Sequence, residues 1–212
     1  MLPAHLKPKN VVLLKAVVFA ACLLPLARLV WFGLTDNLSA NPIEFITRST
    51  GTWTLSFLLI TLSITPLRRW LSINWLLRLR RMLGLYAFFY ACLHFATYIL
   101  LDQFFDWDSI VKDIMKRPYI TVGFPSFVLL IPLAVTSTNA MIRRLGAKRW
   151  QQLHRLVYII AVAGVIHYWW LVKKDVAEPL YYAVVLTLLL GIRLAWSLQG
   201  SRPIIKDARV TA

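Results

Sequence analysis

The sequence has few charged residues, and acidic ones are especially scarce. Only 16% of its 212 residues are charged, with 9 Asp and Glu against 24 Lys and Arg, whereas soluble domains carry about 25%. Hydrophobic residues make up 59% of the chain and the mean hydropathy is +0.64. This composition excludes an ordinary soluble domain and a disordered chain. Because there are only two cysteines, a disulfide-stapled secreted domain is excluded as well.

Six long apolar runs occupy most of the chain. At about 20 residues per membrane-spanning helix, this length allows six spans with short loops and no second soluble domain. The spans must be helices because lipid offers no hydrogen-bond partner to backbone N–H and C=O groups. Trp and Tyr collect at the ends of the runs, as they do at membrane interfaces. The sequence therefore predicts an all-α, polytopic membrane bundle forming one domain over residues 1–212, with spans at about 11–32, 49–67, 82–101, 119–137, 153–172 and 179–196.

The basic residues cluster in alternate connections. Of the 24 Lys and Arg, 17 lie in the N-terminal segment, the loops after the second and fourth spans, and the C-terminal end, whereas eight of the nine acids lie in the other loops. The positive-inside rule therefore places both termini in the cytoplasm. Topology also explains the net charge of +15, so nucleic acid is not an expected partner.

Three histidines lie inside the predicted spans, where ionisable residues are functional candidates. His94 is in the third span, and His154 and His167 are in the fifth. Counted from the cytoplasmic ends of the spans, His94 lies about 18 Å deep and His167 about 21 Å deep. This matched depth on two helices suits a single haem iron with two axial imidazoles.

His154 lies closer to the cytoplasm, about 20 Å from His167 along the helix axis. On one continuous helix the two would point about 140° apart, so a shared face requires a broad interface or some twist. At the level of His154, the third span offers Arg80. Arginine stays protonated and is a poor metal ligand, but it is a good partner for haem propionates. An inner site would therefore have one histidine and an unusual or absent second ligand.

Histidine spacing alone leaves three classes of function open. The histidines can ligate haem, serve a small membrane transporter or proton channel, or make structural hydrogen bonds in an assembly subunit. Zinc is less favoured because no carboxylate lies near these histidines in the spans, and the one cysteine there, Cys92, is two residues from His94 and so points to another side of the helix. The sequence has no C-x-x-C-H motif, which excludes covalent c-type haem, and no G-x-G-x-x-G or P-loop motif for a nicotinamide or nucleotide domain.

Three stretches resemble the ferric-reductase-like transmembrane family. They are RRMLGLYAFFYACLHFATY, RPYITVGFPSF with the following LAVTST, and RRLGAKRWQQLHRLVYI. Within that family the resemblance is to the branch that serves bacterial methionine sulfoxide reductase systems, and it runs from about Val11 to Trp196. It implies a multi-pass protein of the inner membrane that conducts electrons through one or two haems b, with His94, His154 and His167 as ligands of the haem iron.

The resemblance also implies partners and a second cofactor. Electrons would come from the quinone pool or a cytoplasmic flavin reductase and go to MsrP, a periplasmic molybdopterin enzyme that reduces methionine sulfoxide in oxidised proteins. Because that reduction takes place on the partner, no catalytic residue is expected in this chain. Arg80 stands where the family has its inner histidine, so we expect it near the haem propionates or the sixth position. The resemblance also implies FMN, whose phosphate the basic residues of the inner loops, such as Arg78, Arg80 and Arg81, could hold.

The predicted topology places the residues around Asp106 and Arg144 on opposite sides of the membrane. We expect single cysteines introduced at these two positions to react with an impermeant thiol reagent from opposite faces of intact vesicles. The unmodified protein provides the background, since Cys22 and Cys92 lie within apolar runs. Labelling of both positions from one face contradicts the six-span topology.

Overall fold

The computed structural model describes residues 7–172 and 174–200, and this part of the chain is helical, without a strand. Six helices in it are long and apolar enough to cross a membrane, which confirms the predicted all-α, six-helix architecture. The cytoplasmic orientation of the termini remains a prediction. Five charged residues counted in the topology prediction lie outside the described residues: Lys173, Arg202, Lys206, Asp207 and Arg209.

Nine α-helices follow one another in the described residues, with a 3-10 turn before the third and a π-helical turn after it. The α-helices are α1 (Pro8–Leu34), α2 (Pro42–Leu71), α3 (Leu77–Thr97), α4 (Trp107–Lys116), α5 (Pro118–Val135), α6 (Asn139–Leu145), α7 (Ala147–His154), α8 (Leu156–Leu171) and α9 (Ala177–Gly200). The 3-10 turn is Asn74–Leu76 and the π-helical turn is Tyr98–Asp102.

The two ends of the bundle differ in charge. The connections α1–α2, α3–α5 and α8–α9 contain or adjoin all eight acidic residues of the described part, and we call this the acidic end. The α2–α3 connection adjoins five arginines at the ends of α2 and α3, the α5–α8 connection contains four arginines and a lysine, and neither has an acid; we call this the basic end. This separation is the positive-inside pattern in three dimensions.

Two short helices occupy connections that the sequence predicted only as loops. The carboxylate of Asp106 caps α4, accepting from the hydroxyl of Ser109 at 2.8 Å and from its N–H at 3.1 Å. These hydrogen bonds hold the pKa of Asp106 below its ordinary value. The hydroxyl of Thr138 caps α6, accepting from Met141 N–H at 3.2 Å. Such caps provide acceptors for the backbone N–H groups of the first helical turn, which have no acceptor within the helix.

The fifth span consists of two helices. Between α7 and α8, Arg155 N–H bonds to the carbonyls of Gln151 and Gln152, both at 3.2 Å, and Tyr158 N–H bonds to Arg155 O at 3.0 Å. A bond over three residues winds the backbone more tightly than an α-helical turn. The offset of about 140° between His154 and His167 holds for one regular helix, and the tightened turn at Arg155 departs from that geometry.

Aromatic side chains of α2 and α3 form the centre of the bundle. The ring of Phe57 stacks on those of Tyr86 and Tyr90, with centroids 5.7 and 5.3 Å apart. Tyr90 is fully buried. Offset-stacked rings of this kind contribute beyond the area they bury, and here they hold in place the helix that carries His94.

The Tyr90 hydroxyl is inserted into the hydrogen-bond ladder of α1. It donates to Cys22 O at 2.9 Å and accepts from Leu26 N–H at 3.2 Å. In a regular helix these two backbone groups bond to each other. The insertion lies at Pro25, which already interrupts the ladder of α1 because it has no N–H. Tyr90 thus anchors α1 to α3.

Replacing Tyr90 should loosen this anchor. We expect Tyr90→Phe to lower the free energy of unfolding by about 1–3 kcal/mol, because two buried backbone groups lose their shared partner. Thermal unfolding in detergent measures the effect. Tyr181→Phe, at a ring that is 66% exposed, should melt with the wild type. Equal melting temperatures for the two variants would show that the inserted hydroxyl contributes nothing.

Candidate functional site

His94 and His167 lie side by side in the half of the bundle nearer the acidic end. Their ring centroids are 6.0 Å apart and their planes make an angle of 83°. His94 is on α3 and His167 on α8, so the contact joins two helices that are far apart in sequence. The structure thus brings together the two histidines that lie at matched depth in the sequence; their ligation of haem remains a prediction.

Each of these imidazoles is oriented by a backbone carbonyl of a neighbouring helix. His94 Nδ1 lies 2.9 Å from Thr47 O on α2, and His167 Nδ1 lies 2.6 Å from Tyr119 O on α5. A carbonyl only accepts, so Nδ1–H donates and Nε2 keeps its lone pair. This is the tautomer that binds a metal through Nε2, and a carbonyl is a usual partner for the other nitrogen of a ligating histidine.

A glycine follows each accepting carbonyl by one helical turn. A Cβ on Gly51 of α2 would lie 3.0 Å from Nδ1 and Cε1 of His94. A Cβ on Gly123 of α5 would lie 2.5 Å from Nδ1 of His167. The missing side chain therefore lets each imidazole approach the helix closely enough to reach its carbonyl. Neither periodicity nor spacing shows which helix a histidine touches, so the two glycines could not be predicted from the sequence.

The pair of histidines fits axial ligation of one haem iron. With a metal–nitrogen bond of about 2 Å, two imidazoles on opposite sides of one metal ion have centroids about 6 Å apart, in agreement with the observed 6.0 Å. In the described residues, no three His, Cys, Asp or Glu side chains converge. A structural zinc site needs four protein ligands, whereas haem iron takes only its axial ligands from the protein.

His154 occupies a separate environment nearer the basic end. Its Nε2 lies 3.0 Å from the hydroxyl oxygen of Thr136, and its ring stacks on Trp150 with centroids 3.9 Å apart. Trp150 Nε1 in turn donates to Thr136 O at 2.8 Å. Arg80 lies within electrostatic range of the imidazole. The Nε2 atom of His154 is thus engaged by a hydroxyl, and the roles of His154 and Arg80 at a haem remain predictions.

The close approach at Gly123 generates a prediction. We expect Gly123→Ala to push His167 away from Tyr119 O, because a Cβ 2.5 Å from Nδ1 is nearer than non-bonded atoms allow. Losing the partner of a metal-ligating histidine costs about 10- to 100-fold in metal affinity. Haem titration of the depleted protein, followed by Soret absorbance, measures this loss.

Gly191→Ala is the matched control, since a Cβ at Gly191 meets nothing within 4 Å. It should bind haem as the wild type does. Equal affinities for Gly123→Ala and Gly191→Ala would contradict the role assigned to the close approach.

Comparisons with known proteins show the family to which the chain belongs. Residues 50–165 match the family described as ferric reductase like transmembrane component. This range includes His94 and His154 together with Arg80, Gly51 and Gly123, and it ends two residues before His167.

Curated relatives match nearly the whole chain. A protein of Herminiimonas arsenicoxydans is 58% identical over 201 residues, covering 94% of this chain and 92% of the relative. Proteins of Ralstonia nicotianae and Xanthomonas euvesicatoria are 57% and 49% identical, covering 95% and 91% of this chain and 94% and 91% of the relatives. All three are named protein-methionine-sulfoxide reductase heme-binding subunit MsrQ. We conclude that the chain is a multi-pass protein of the bacterial inner membrane that belongs to the ferric reductase-like transmembrane family and, within it, to the MsrQ subunits.

Proposed function

We propose that this chain is the b-type haem electron-transfer subunit of a protein-methionine-sulfoxide reductase system. It takes electrons from the quinone pool or a cytoplasmic flavin reductase and delivers them to the periplasmic enzyme MsrP, supporting repair of oxidised proteins. The observation that carries the proposal is the pair His94 and His167, each with Nδ1 on a helix carbonyl and with ring centroids 6.0 Å apart. The names of the relatives support it.

His94 and His167 are the proposed axial ligands. When bound, haem b supplies one-electron transfer at a potential set by its axial ligands and surroundings. The carbonyls of Thr47 and Tyr119 hold the rings in the ligating tautomer and orientation. The substrate is reduced on the partner, so no residue of this chain is proposed as catalytic.

Aromatic side chains pack together next to this pair. On α3, Phe95 follows His94 and stacks on Phe127 of α5 with centroids 4.5 Å apart. Phe88, two turns earlier on α3, lies parallel to Phe127 at 6.2 Å. A dry, apolar surrounding is one of the means by which a protein sets the potential of a bound haem.

A second haem is proposed at His154, with Arg80 beside its propionates or its sixth position. The grouping of His154 with Arg80 supports this placement. The hydroxyl of Thr136 would have to leave Nε2 for that nitrogen to bind iron. FMN belongs to the proposal by resemblance alone, without assigned residues.

MsrP is proposed to dock at the acidic end, where the α3–α5 connection carries four aspartates. Three of them have partners within the chain: Asp113 pairs with Arg117 at 3.0 Å, Asp106 caps α4, and Asp102 accepts from Gln103 Nε2 at 3.1 Å. Asp102 and Asp108 are exposed and are the carboxylates best placed to meet a partner. Electrons would then leave beside the His94 and His167 pair, which lies nearer this end.

Reconstitution tests the function. In proteoliposomes with a reductant confined to the side of the basic end and MsrP outside, we expect MsrP to be reduced at least about 10-fold faster than in vesicles without the protein. His94→Ala and His167→Ala should each abolish the difference, while Tyr181→Phe retains it.

Two results would count against the proposal. The first is reduction of MsrP that survives the loss of both histidines. The second is a purified protein without haem by the pyridine haemochrome assay, which would favour the alternative of a small transporter or proton channel that uses the histidines of the spans.

A further inference from the structure

The short helix α4, in the connection between the third and fourth spans, has a wide apolar side. At about 100° per residue, its apolar residues follow one another around the helix in the order Ile110, Ile114, Trp107, Val111 and Met115. Together they form one continuous arc of roughly 140°. Every other residue of α4 is polar or charged, so α4 is an amphipathic helix.

The protein covers only the first part of this arc. Ile110 is 5% exposed, whereas Trp107, Val111 and Met115 are 62%, 54% and 70% exposed. Residues four apart lie on the same side of a helix, so the last three form one continuous apolar surface. We call Trp107, Val111 and Met115 the exposed stripe. Contiguous exposed apolar surface marks a contact with a partner or a membrane.

Hydrogen bonds hold α4 in the orientation that leaves the stripe outside. The Thr121 hydroxyl on α5 donates to Ile114 O at 2.6 Å, and the Tyr98 hydroxyl donates to the Asp113 carboxylate at 3.4 Å. Asp113 also pairs with Arg117 at 3.0 Å. Rotating α4 to bury the stripe would break these contacts, so a covering surface has to come from outside the described part of the chain.

Two phenylalanines before α4 extend the apolar surface. Phe104 and Phe105 are both exposed, and their φ angles of 47° and 62° place both in the left-handed region. Bulky residues rarely adopt this conformation, and it persists where surrounding interactions favour it. The Phe105 ring lies 6.3 Å from the Trp107 ring. The turn therefore presents its aromatic rings beside the exposed stripe.

The membrane is the apolar phase nearest to this surface. The third span ends at Asp102 and the fourth begins at Pro118, so each end of α4 lies within a few residues of a membrane-spanning helix. Leu100, in the last turn of the third span, is exposed as well and continues the apolar surface toward the lipid. Helices that lie in the membrane interface carry Trp and Phe on one side and Lys on the other. Lys112 and Lys116 occupy the polar side of α4.

We propose that α4 is an interfacial helix that lies along the membrane surface at the acidic end. Its exposed stripe, with Phe104 and Phe105, inserts at the boundary between phospholipid headgroups and acyl chains. The opposite side, which carries Asp108 and Lys112, faces water. This lipid contact goes beyond the proposed electron transfer and does not depend on it.

Fluorescent labels on the two sides of α4 test the proposal. An environment-sensitive fluorophore is attached to the full chain, with its two native cysteines replaced by alanine, at one introduced cysteine. Val111→Cys and Met115→Cys place it in the stripe, and Asp108→Cys and Lys112→Cys are the matched controls on the polar side. The protein is reconstituted into vesicles of phosphatidylethanolamine and phosphatidylglycerol. Quenching is measured with iodide in water and with phospholipid that carries a spin label close to its headgroup.

We expect the labels at Val111 and Met115 to emit at shorter wavelength, to lose iodide quenching and to be quenched by the spin-labelled lipid. The physical reason is that the apolar side of an interfacial helix lies about 5–10 Å into the boundary between headgroups and acyl chains. Labels at Asp108 and Lys112 should show the reverse. Any pattern that fails to separate the two sides of α4, whether all four labels meet iodide or all four meet lipid, would overturn the proposal.

A protein partner is the other occupant that the labels distinguish. Labels at Val111 and Met115 that meet iodide in the vesicles and become protected only when MsrP is added would assign the stripe to a protein interface. That result would also overturn the lipid contact.

A charge placed in the stripe gives an independent measurement. With the label at Met115, Val111→Asp should restore iodide quenching, because a carboxylate is costly to bury in lipid. Val111→Leu is the control and should keep the lipid contact. Equal lipid quenching in the two variants would contradict insertion of the stripe. Haem content is a separate readout: its absence from the unmodified protein would count against the proposed function and leave the lipid contact of α4 standing.

Discussion

The arrangement of this bundle around its proposed haem depends on two hydrogen bonds from imidazole to helix backbone. His94 and His167 each reach a carbonyl on a neighbouring helix, and each does so across a glycine one turn further on. Such a carbonyl already serves its own helix, so the imidazole uses its second lone pair. The glycines make the approach possible, and the carbonyls set the tautomer. The same kind of hydrogen bond thus joins α2 to α3 and α5 to α8.

The two ends of the bundle provide different chemistry. Near the acidic end, neutral imidazoles offer lone pairs to a metal, and the ion pairs that the structure describes, Arg48 with Glu44 and Arg117 with Asp113, lie there. Near the basic end, Arg193 Nη2 donates to Leu62 O, and all the acidic residues of the described part lie at the other end. The positive-inside bias therefore predicts the topology, while one of the basic residues that contribute to it, Arg193, also reaches into the bundle.

The number of spans and the depth of the paired histidines can be predicted from the sequence. Hydropathy predicts six spans, and counting residues along them places His94 and His167 at one depth, because helical rise is nearly constant. The remainder depends on tertiary contacts that periodicity does not carry. Counted by position, Arg193 belongs with the basic residues that orient the C-terminal end, yet it turns inward to a carbonyl that Pro66 leaves unbonded. The tightened turn at Arg155 likewise changes the angle between His154 and His167, which spacing along a regular helix does not reveal.

The central claim is that His94 and His167 bind one iron between them. Low-temperature EPR and near-infrared magnetic circular dichroism of the oxidised protein test this directly, because both report whether a low-spin haem has two imidazole ligands. The account predicts a bis-imidazole signal in the wild type that is lost in His94→Ala and in His167→Ala and retained in His154→Ala. A signal that persists in both single variants, or one that disappears only in His154→Ala, would contradict it.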